Sequence, residues 1–393
     1  MELTNKQEAG LKEAVSRHRN KEKYTVISGY AGTGKSTLVR FIIEAINVDE
    51  DEVAYCAYTG KAADVLRKKG NKNSMTLHRL LYDSIPRPGG GFFRIPKKHL
   101  DYKVIVVDEV SMVPKSMIDL LLSYRVYILF LGDPFQLPQI DKNEEHDLLV
   151  KPQVFLDEIM RQEAESEIIR LTMKIRAGEQ IDYERGNEVC VIPKQELVTG
   201  HLLWADQILC ATNNVRHNVN NQMRQLLGFN GVLQPGEKVI IKRNYWDICN
   251  DDGDVLVNGT IGTVDMPFES FVRLPNYIKN DRQDLPIIIT NFTPDGESTF
   301  EGIDIDKDFL LTEQPCVDWR VAYKIGQLGN KIGDILPKQA TYGYCLTAWN
   351  AQGSEWSKVT VLEEKFPYNK EEHARFLYTA CTRAEDKLVL VRD

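Results

Sequence analysis

The sequence predicts an α/β protein of two parallel-sheet units, with a small hairpin inserted in the first and a small β-barrel inserted in the second. Three observations lead there. Short apolar strands alternate with helical stretches over residues 1–158, and again over 159–230 and 338–393, the rhythm of strand–helix–strand units. That rhythm breaks at 82–102, which is rich in proline and glycine, and at 231–337, where short strands are separated by polar turns. The chain is also too long, at 393 residues, for one compact domain of about 100–200 residues.

Composition narrows the class. An apolar share of 42% is enough to build cores, so disorder is excluded. No apolar signal segment follows Met1, and the longest apolar run, Val126–Leu131, is too short to span a bilayer. Seven cysteines (56, 190, 210, 249, 316, 345, 381) form no C-x-x-C pair. They read as buried free thiols in a reducing, cytoplasmic compartment, not as zinc ligands or a disulfide frame. A net charge of −8 argues against a nonspecific polyanion binder. The distribution differs: Lys61–Lys103 holds eleven Lys/Arg against three Asp/Glu, a local +8 that leaves −16 elsewhere. Such a block suits either a nucleic-acid track or a solvated charged face.

In order, Thr4 is placed to cap an amphipathic helix with Leu3, Gln7, Leu11 and Val15 near one side. Tyr24–Ile27 is a β-branched and aromatic strand. It runs into Gly29, four residues, then Gly34-Lys35-Ser36, the G-x-x-x-x-G-K-[ST] pattern, followed by a helix carrying Leu38, Phe41, Ile42 and Ala45. Glycines between strand and helix let backbone N–H groups close on a triphosphate, where the helix dipole favours anions. Lys35 would reach the outer phosphates and Ser36 would hold Mg²⁺. Glu52–Tyr58 is a second strand, Thr59–Leu66 a turn and helix, and Thr76–Leu81 a short helix. Residues 82–102 predict a protruding hairpin or loop with Phe92 and Phe93 near its tip, set either to meet bases or to pack back into the core.

Val104–Val107 reads as a buried parallel strand that delivers Asp108-Glu109 to its carboxyl edge, where open α/β sheets bind ligands. Asp108 would share Mg²⁺ with Ser36, and Glu109 would polarise an attacking water. Tyr127–Leu131 is another strand, ending in Gly132-Asp133-Pro134-Phe135-Gln136, whose glutamine can sense a γ-phosphate. A second α/β unit begins near Leu156, with a strand at Gln207–Thr212 and a helix from Asn213 to Leu226. Glu237–Lys242 and Gly259–Val264 are short strands of the inserted barrel, while 276–337 carries no readable pattern. The chain closes with Thr347–Trp356, a strand Lys358–Leu362, a helix holding Arg375–Ala384, and a strand Lys387–Val391.

Taken in this order, the phosphate loop, Asp-Glu, Gly-Asp-x-x-Gln-Leu-Pro, Gln-Gly-Ser-Glu and Tyr-Thr-Ala-x-Thr-Arg segments resemble a superfamily 1 helicase. The resemblance is to the RecD-like branch that includes the phage Dda helicase, and covers Leu3–Val391 apart from 276–337. It implies two RecA-like P-loop NTPase core domains, a pin hairpin at 82–102 and an SH3-like β-barrel at 231–337. It implies ATP as cofactor with Mg²⁺, Gln7 on the adenine, and Gly29, Gly32, Thr33, Gly34, Lys35, Ser36, Thr37 and Glu355 around the nucleotide. Arg161 and Arg383 resemble arginine fingers, although Arg161 suits a surface salt bridge with Glu158 or Glu165 equally. Thr59, Lys61 and His78 fall where the family's first core domain touches the strand, and Asn213 and Thr347 where the second does; His78 alone would more often be a packed histidine. Trp349-Asn350 departs from the family's His-Lys, with Trp349 able to stack on a base.

The resemblance therefore implies an ATP-dependent, monomeric DNA helicase moving 5′ to 3′, in bacterial or phage-infected host cytoplasm. Single-stranded DNA and single-strand/duplex junctions would be its partners. Single-strand-binding or replication proteins are left open as further partners, and no membrane is implied. A translocase that displaces proteins without strand separation and a nucleotide-gated binding module also stay open, as does RNA.

Overall fold

The computed structural model describes residues 3–86, 92–138, 141–159, 166–252, 255–278, 280, 282–318, 321–322, 336–365 and 369–393. Two mainly parallel sheets carry the fold, each centred on strands too apolar to face water. The first contains β1 (Tyr24–Gly29), β2 (Val53–Ala57), β3 (Ser74–Thr76), β6 (Val104–Val107), β7 (Tyr127–Gly132) and β8 (Val154–Leu156), in the order β3-β2-β6-β7-β1-β8. All its pairings are parallel, with Tyr24 opposite Ile128 and Val53 opposite Val104. Alternate residues Val104, Val106, Leu129 and Leu131 pack with Ala14, Leu38, Ile42 and Leu66 from three helices. Their neighbours Ile105, Val107, Ile128 and Phe130 point the other way and are equally buried, so the sheet is covered on both faces.

The second sheet contains β9 (Glu184–Arg185), β10 (Val189–Pro193), β11 (Gln207–Cys210), β19 (Cys345–Thr347), β20 (Trp356–Leu362) and β21 (Ala384–Arg392), in the order β19-β11-β20-β21-β10-β9. Its centre is parallel, and β9 closes one edge antiparallel to β10. Both sheets lie within one compact unit, comprising residues 1–81, 98–216 and 346–393.

The other unit joins residues 82–97 to 217–345. Tyr82–Lys97 holds the expected hairpin, β4 (Tyr82–Pro86) paired with β5 (Phe92–Pro96). The rest is dominated by an antiparallel sheet of β12 (Lys238–Ile241), β15 (Ile261–Arg273), β16 (Asp284–Pro294), β17 (Phe300–Asp306) and β18 (Ala340–Tyr342), in the order β17-β16-β15-β12-β18. An isolated bridge from Ile305 to Lys338, just before β18, links the two edges of this sheet and curls it on itself. Its strands are not all short: β15 runs 13 residues and β16 runs 11. The unreadable stretch from 276 onward thus contains β16 and β17, held by a core of Leu274, Ile278, Leu285 and Val317. The cysteines are free, but Cys249 is exposed and Cys190 and Cys316 are half-buried, so the expectation of buried thiols is corrected at those positions.

Candidate active site

Three strand ends of the first sheet converge. Parallel order sets β7 beside both β6 and β1, so the segments leaving their carboxyl ends share one edge. From β1 comes the phosphate loop. Gly32 and Gly34 take φ of 73° and 74°, where a Cβ would be strained, and Gly34 starts the helix Lys35–Ala45. At Gly29 a Cβ would lie 2.8 Å from the Leu156 carbonyl oxygen, so the close approach of β8 also demands glycine there. The Lys35 Nζ donates to the carbonyls of Gly29 (2.8 Å) and Tyr30 (2.9 Å).

From β6 come Asp108 and Glu109. Asp108 accepts the Glu109 N–H at 2.9 Å, and Glu109 sits at φ 51°, a left-handed conformation that strains a non-glycine residue. Burial raises both carboxyl pKa values; Lys35 offsets part of the rise at Asp108, and Arg383 does so at Glu109. From β7 comes Gln136, whose Oε1 is buried without a partner.

The second sheet supplies the opposite wall. Arg383, only 3% exposed, ends the helix Lys370–Cys381 and enters β21. Its guanidinium lies 4.0 Å from Glu109 and is held by the carbonyls of Thr379 (3.2 Å) and Ser354 (3.4 Å). A cavity of about 400 Å³ is lined by the phosphate loop, Asp108, Glu109, Gln136, Glu355 and Arg383. This cavity gathers the residues expected at the nucleotide. A larger hollow of about 760 Å³ shares Gln136 but sets Asp133, Glu145 and Asp147 beside Arg375, an acidic balance that suits phosphate poorly.

Of the residues expected at the nucleotide, Gly32, Thr33, Gly34, Lys35, Ser36, Thr37, Asp108, Glu109, Gln136, Glu355 and Arg383 line this cavity together. Gly29 ends β1 outside the lining and meets the site only through its carbonyl, which accepts from Lys35 Nζ. Gln7 is 1% exposed; its Nε2 donates to the Thr33 carbonyl at 3.1 Å, and its Oε1 accepts the Thr4 N–H in a capping box. It braces the loop from behind. Arg161 lies outside the described residues, as do the side chains of Phe92 and Phe93.

The expected strand contacts are placed as follows. Thr59 caps the helix Gly60–Lys68 through Ala62 N–H, with half-buried Lys61 in its first turn. His78 packs at 5.8 Å between ring centroids on Tyr58. Thr347 is buried, with its Oγ1 accepting the Asn350 N–H, and Trp349 is half-buried. A Cβ on Gly353 would lie 3.6 Å from Thr59 Oγ1, so the segment carrying Thr347 and Trp349 closes on the helix start of the first sheet. Asn213 is exposed and accepts from Arg216.

Sequence reasoning missed the side chains that hold the Asp133–Leu137 loop. Tyr378, Arg375, Thr379 and Gln352 all bond to it. Two of them sit inside the Tyr-Thr-Ala-x-Thr-Arg segment, but their partners are more than two hundred residues away.

A family model described as an AAA domain matches residues 2–190, and one described as a UvrD-like helicase C-terminal domain matches 342–391. The ATP-dependent RecD2 DNA helicase of Deinococcus radiodurans is 27% identical over 97% of this chain and 48% of its own length. The ATP-dependent DNA helicase dda of Enterobacteria phage T4 is 29% identical over 36% of this chain and 34% of its own. The chain spans less than half the length of each. Among solved structures, the Bacteroides Pif1 helicase in complex with ADP-AlF3 and single-stranded DNA superposes with a TM-score of 0.54. It is 16% identical and covers 99% of this chain and 92% of its own, which shows the shared fold of two RecA-like sheets with antiparallel inserts.

Proposed function

This chain belongs to the Pif1/RecD-like family of superfamily 1 helicases, and on that premise we propose that it is an ATP-dependent DNA helicase that moves 5′ to 3′ along single-stranded DNA and separates duplexes. One observation carries the reading: a buried arginine of the second sheet shares a cavity with the phosphate loop and the Asp108-Glu109 pair of the first. Two glycines at positive φ, a lysine on their carbonyls and the orphaned Gln136 Oε1 suit a nucleoside triphosphate. Ser36 and Asp108 would hold Mg²⁺, whose positive charge would offset the charge that develops on the phosphate in the reaction. Among the described residues no group of three or more His, Cys, Asp or Glu is placed to hold a metal ion.

Glu109 would orient and deprotonate the attacking water, Arg383 would stabilise charge on the transferring phosphoryl, and Arg161 would assist it. An arginine lent by the second sheet makes hydrolysis depend on how the two sheets close, the basis of alternating grip on a strand. Thr59, Lys61, His78, Asn213, Thr347 and Trp349 would form that grip through phosphate and stacking contacts without reading sequence. Arg67 and Lys68 add positive charge in the last turn of the same helix. The hairpin Tyr82–Pro96 would be the pin that parts the duplex, and the curled sheet of 231–337 an SH3-like barrel beside it in the chain's second unit. Among the described residues no helix is long and apolar enough to cross a membrane.

Lys35→Ala, purified as a folded protein, is expected to lose ATPase and unwinding on 5′-tailed duplexes, with 3′-tailed duplexes untouched by either protein. Unwinding by the variant would overturn the reading. Translocation without strand separation in the wild type would reduce it to a translocase.

A further inference from the structure

We propose that Tyr378 is a positioning residue that relays nucleotide occupancy from the phosphate loop to the Asp133–Leu137 loop and the helix Lys370–Cys381. The proposal rests on the ATP-binding reading of the phosphate loop. The Tyr378 hydroxyl donates to Asp133 Oδ2 at 2.6 Å and accepts the Ala31 N–H at 3.0 Å. One oxygen thus joins the loop after β1, the loop after β7 and a helix of the second sheet.

The peptide it grips is the informative one. The unit between Tyr30 and Ala31 presents its N–H to Tyr378 and its carbonyl to Lys35 Nζ (2.9 Å) and Thr33 Oγ1 (2.8 Å). Lys35 is the group that a triphosphate would draw away. When it leaves for phosphate oxygens, this peptide loses a cationic partner on one end while Tyr378 still holds the other. A change in the peptide plane then passes through one hydroxyl to Asp133.

The surroundings make that hydroxyl hard to replace. Tyr378 and Asp133 are each 1% exposed, so water cannot stand in for either partner. Burial, and next the Asp133 charge, keep the phenol protonated as a donor. The other Asp133 oxygen is already taken by the Phe135 N–H at 2.9 Å. Beyond Asp133 the loop is fastened to the second sheet. Arg375 donates to the carbonyls of Pro134 (3.0 Å) and Gln136 (3.3 Å), Thr379 Oγ1 accepts the Leu137 N–H (3.0 Å), and Gln352 donates to the Leu137 carbonyl (2.9 Å). Of these side chains Tyr378 is the one that also touches the phosphate loop. Gln136, which lines the nucleotide cavity, lies in the middle of the fastened loop.

The test is hydrogen–deuterium exchange of the full chain with and without a non-hydrolysable ATP analogue and Mg²⁺, for wild type and Tyr378→Phe. In the wild type, nucleotide should slow exchange in both 29–37 and 133–137. In the variant, the slowing should persist at 29–37 and shrink about tenfold at 133–137, the size of a typical coupling between sites. The ATP KM should stay near wild type while the rate stimulated by single-stranded DNA falls by a similar factor. A merely structural role would instead lower thermal stability, nucleotide affinity and both rates together.

Equal protection of 133–137 in the two proteins overturns the relay. If the variant does not fold, the wild type still decides, because protection of 29–37 without 133–137 overturns it as well. Exchange needs neither DNA nor turnover. A wild type that shows the relay but no stimulation by DNA would therefore sink the motor reading alone.

Discussion

The two sheets repeat one construction, a strand running into a helix at the sheet's carboxyl edge, and use it in opposite ways. In the first, β1 meets its helix through glycines at positive φ, and the loop is kept open with Lys35 beside it. In the second, β11 meets the helix Asn213–Leu226 without a glycine, and the juncture is filled by the chain itself. The Glu364 carboxylate accepts the N–H groups of Ala211 (2.6 Å) and Thr212 (3.0 Å) and the Thr212 hydroxyl (2.6 Å). A helix start attracts an anion in either case. Where the anion is internal the juncture is structural; where the loop is glycine-rich and cationic it is left for a ligand. The fold alone therefore does not say which sheet binds phosphate; the residues at the turn do.

The comparison can be broken from either side. The largest effect is expected at the contribution of the second sheet to the site of the first: Arg383→Ala should lower ATPase kcat by about 10³–10⁵. Steady-state ATPase assays check it, and a loss below tenfold would remove Arg383 from the chemistry. Glu109→Gln should lower kcat by roughly 10²–10⁴, as for loss of a general base.

The same substitution carries a stability signature of opposite sign. Burial holds the Glu109 pKa above its unfolded value, so its contribution to stability is present at low pH and is lost as pH rises through the folded value. Glu109→Gln should thus raise Tm over wild type toward neutral pH and equal it in acid, read from thermal melts between about pH 4 and 8. A variant less stable than wild type at neutral pH would contradict the sign. The smallest effect belongs to the filled juncture. Glu364→Ala should cost about 1–3 kcal/mol in denaturant unfolding and leave the ATP KM unchanged. A change in KM instead would give that juncture a share in nucleotide binding.

Much of this was legible in the sequence, for reasons that differ by residue. The phosphate loop announces itself because its backbone needs glycines at fixed spacing and its chemistry needs Lys35 and Ser36 next to them. Asp108-Glu109 was legible because it follows an apolar, β-branched run about seventy residues after the phosphate loop. The long strands β15 and β16 were not. In β15, Met266, Phe268 and Phe271 are exposed, so the alternation that marks a half-buried strand is broken, and a bulge near Met266 shifts the register. Gln7 was placed on the adenine by resemblance, while its local geometry is that of a capping box whose side-chain N–H reaches the phosphate loop at the Thr33 carbonyl.

What the sequence by itself determined are the local devices: turns that need glycine, strands too apolar to be exposed, and charged groups set at their ends. These follow from backbone sterics and from the cost of wetting apolar surface, which act over a few residues. What only the tertiary structure decided are the pairings between them. The order β6-β7-β1 brings three loops to one edge, Arg383 reaches Glu109 from the other sheet, Tyr378 spans Ala31 and Asp133, and Glu364 fills the second juncture. A hydroxyl or carboxylate does not reveal its partner along the chain, because a hydrogen bond needs donor and acceptor within about 3 Å in space and sets no distance in sequence.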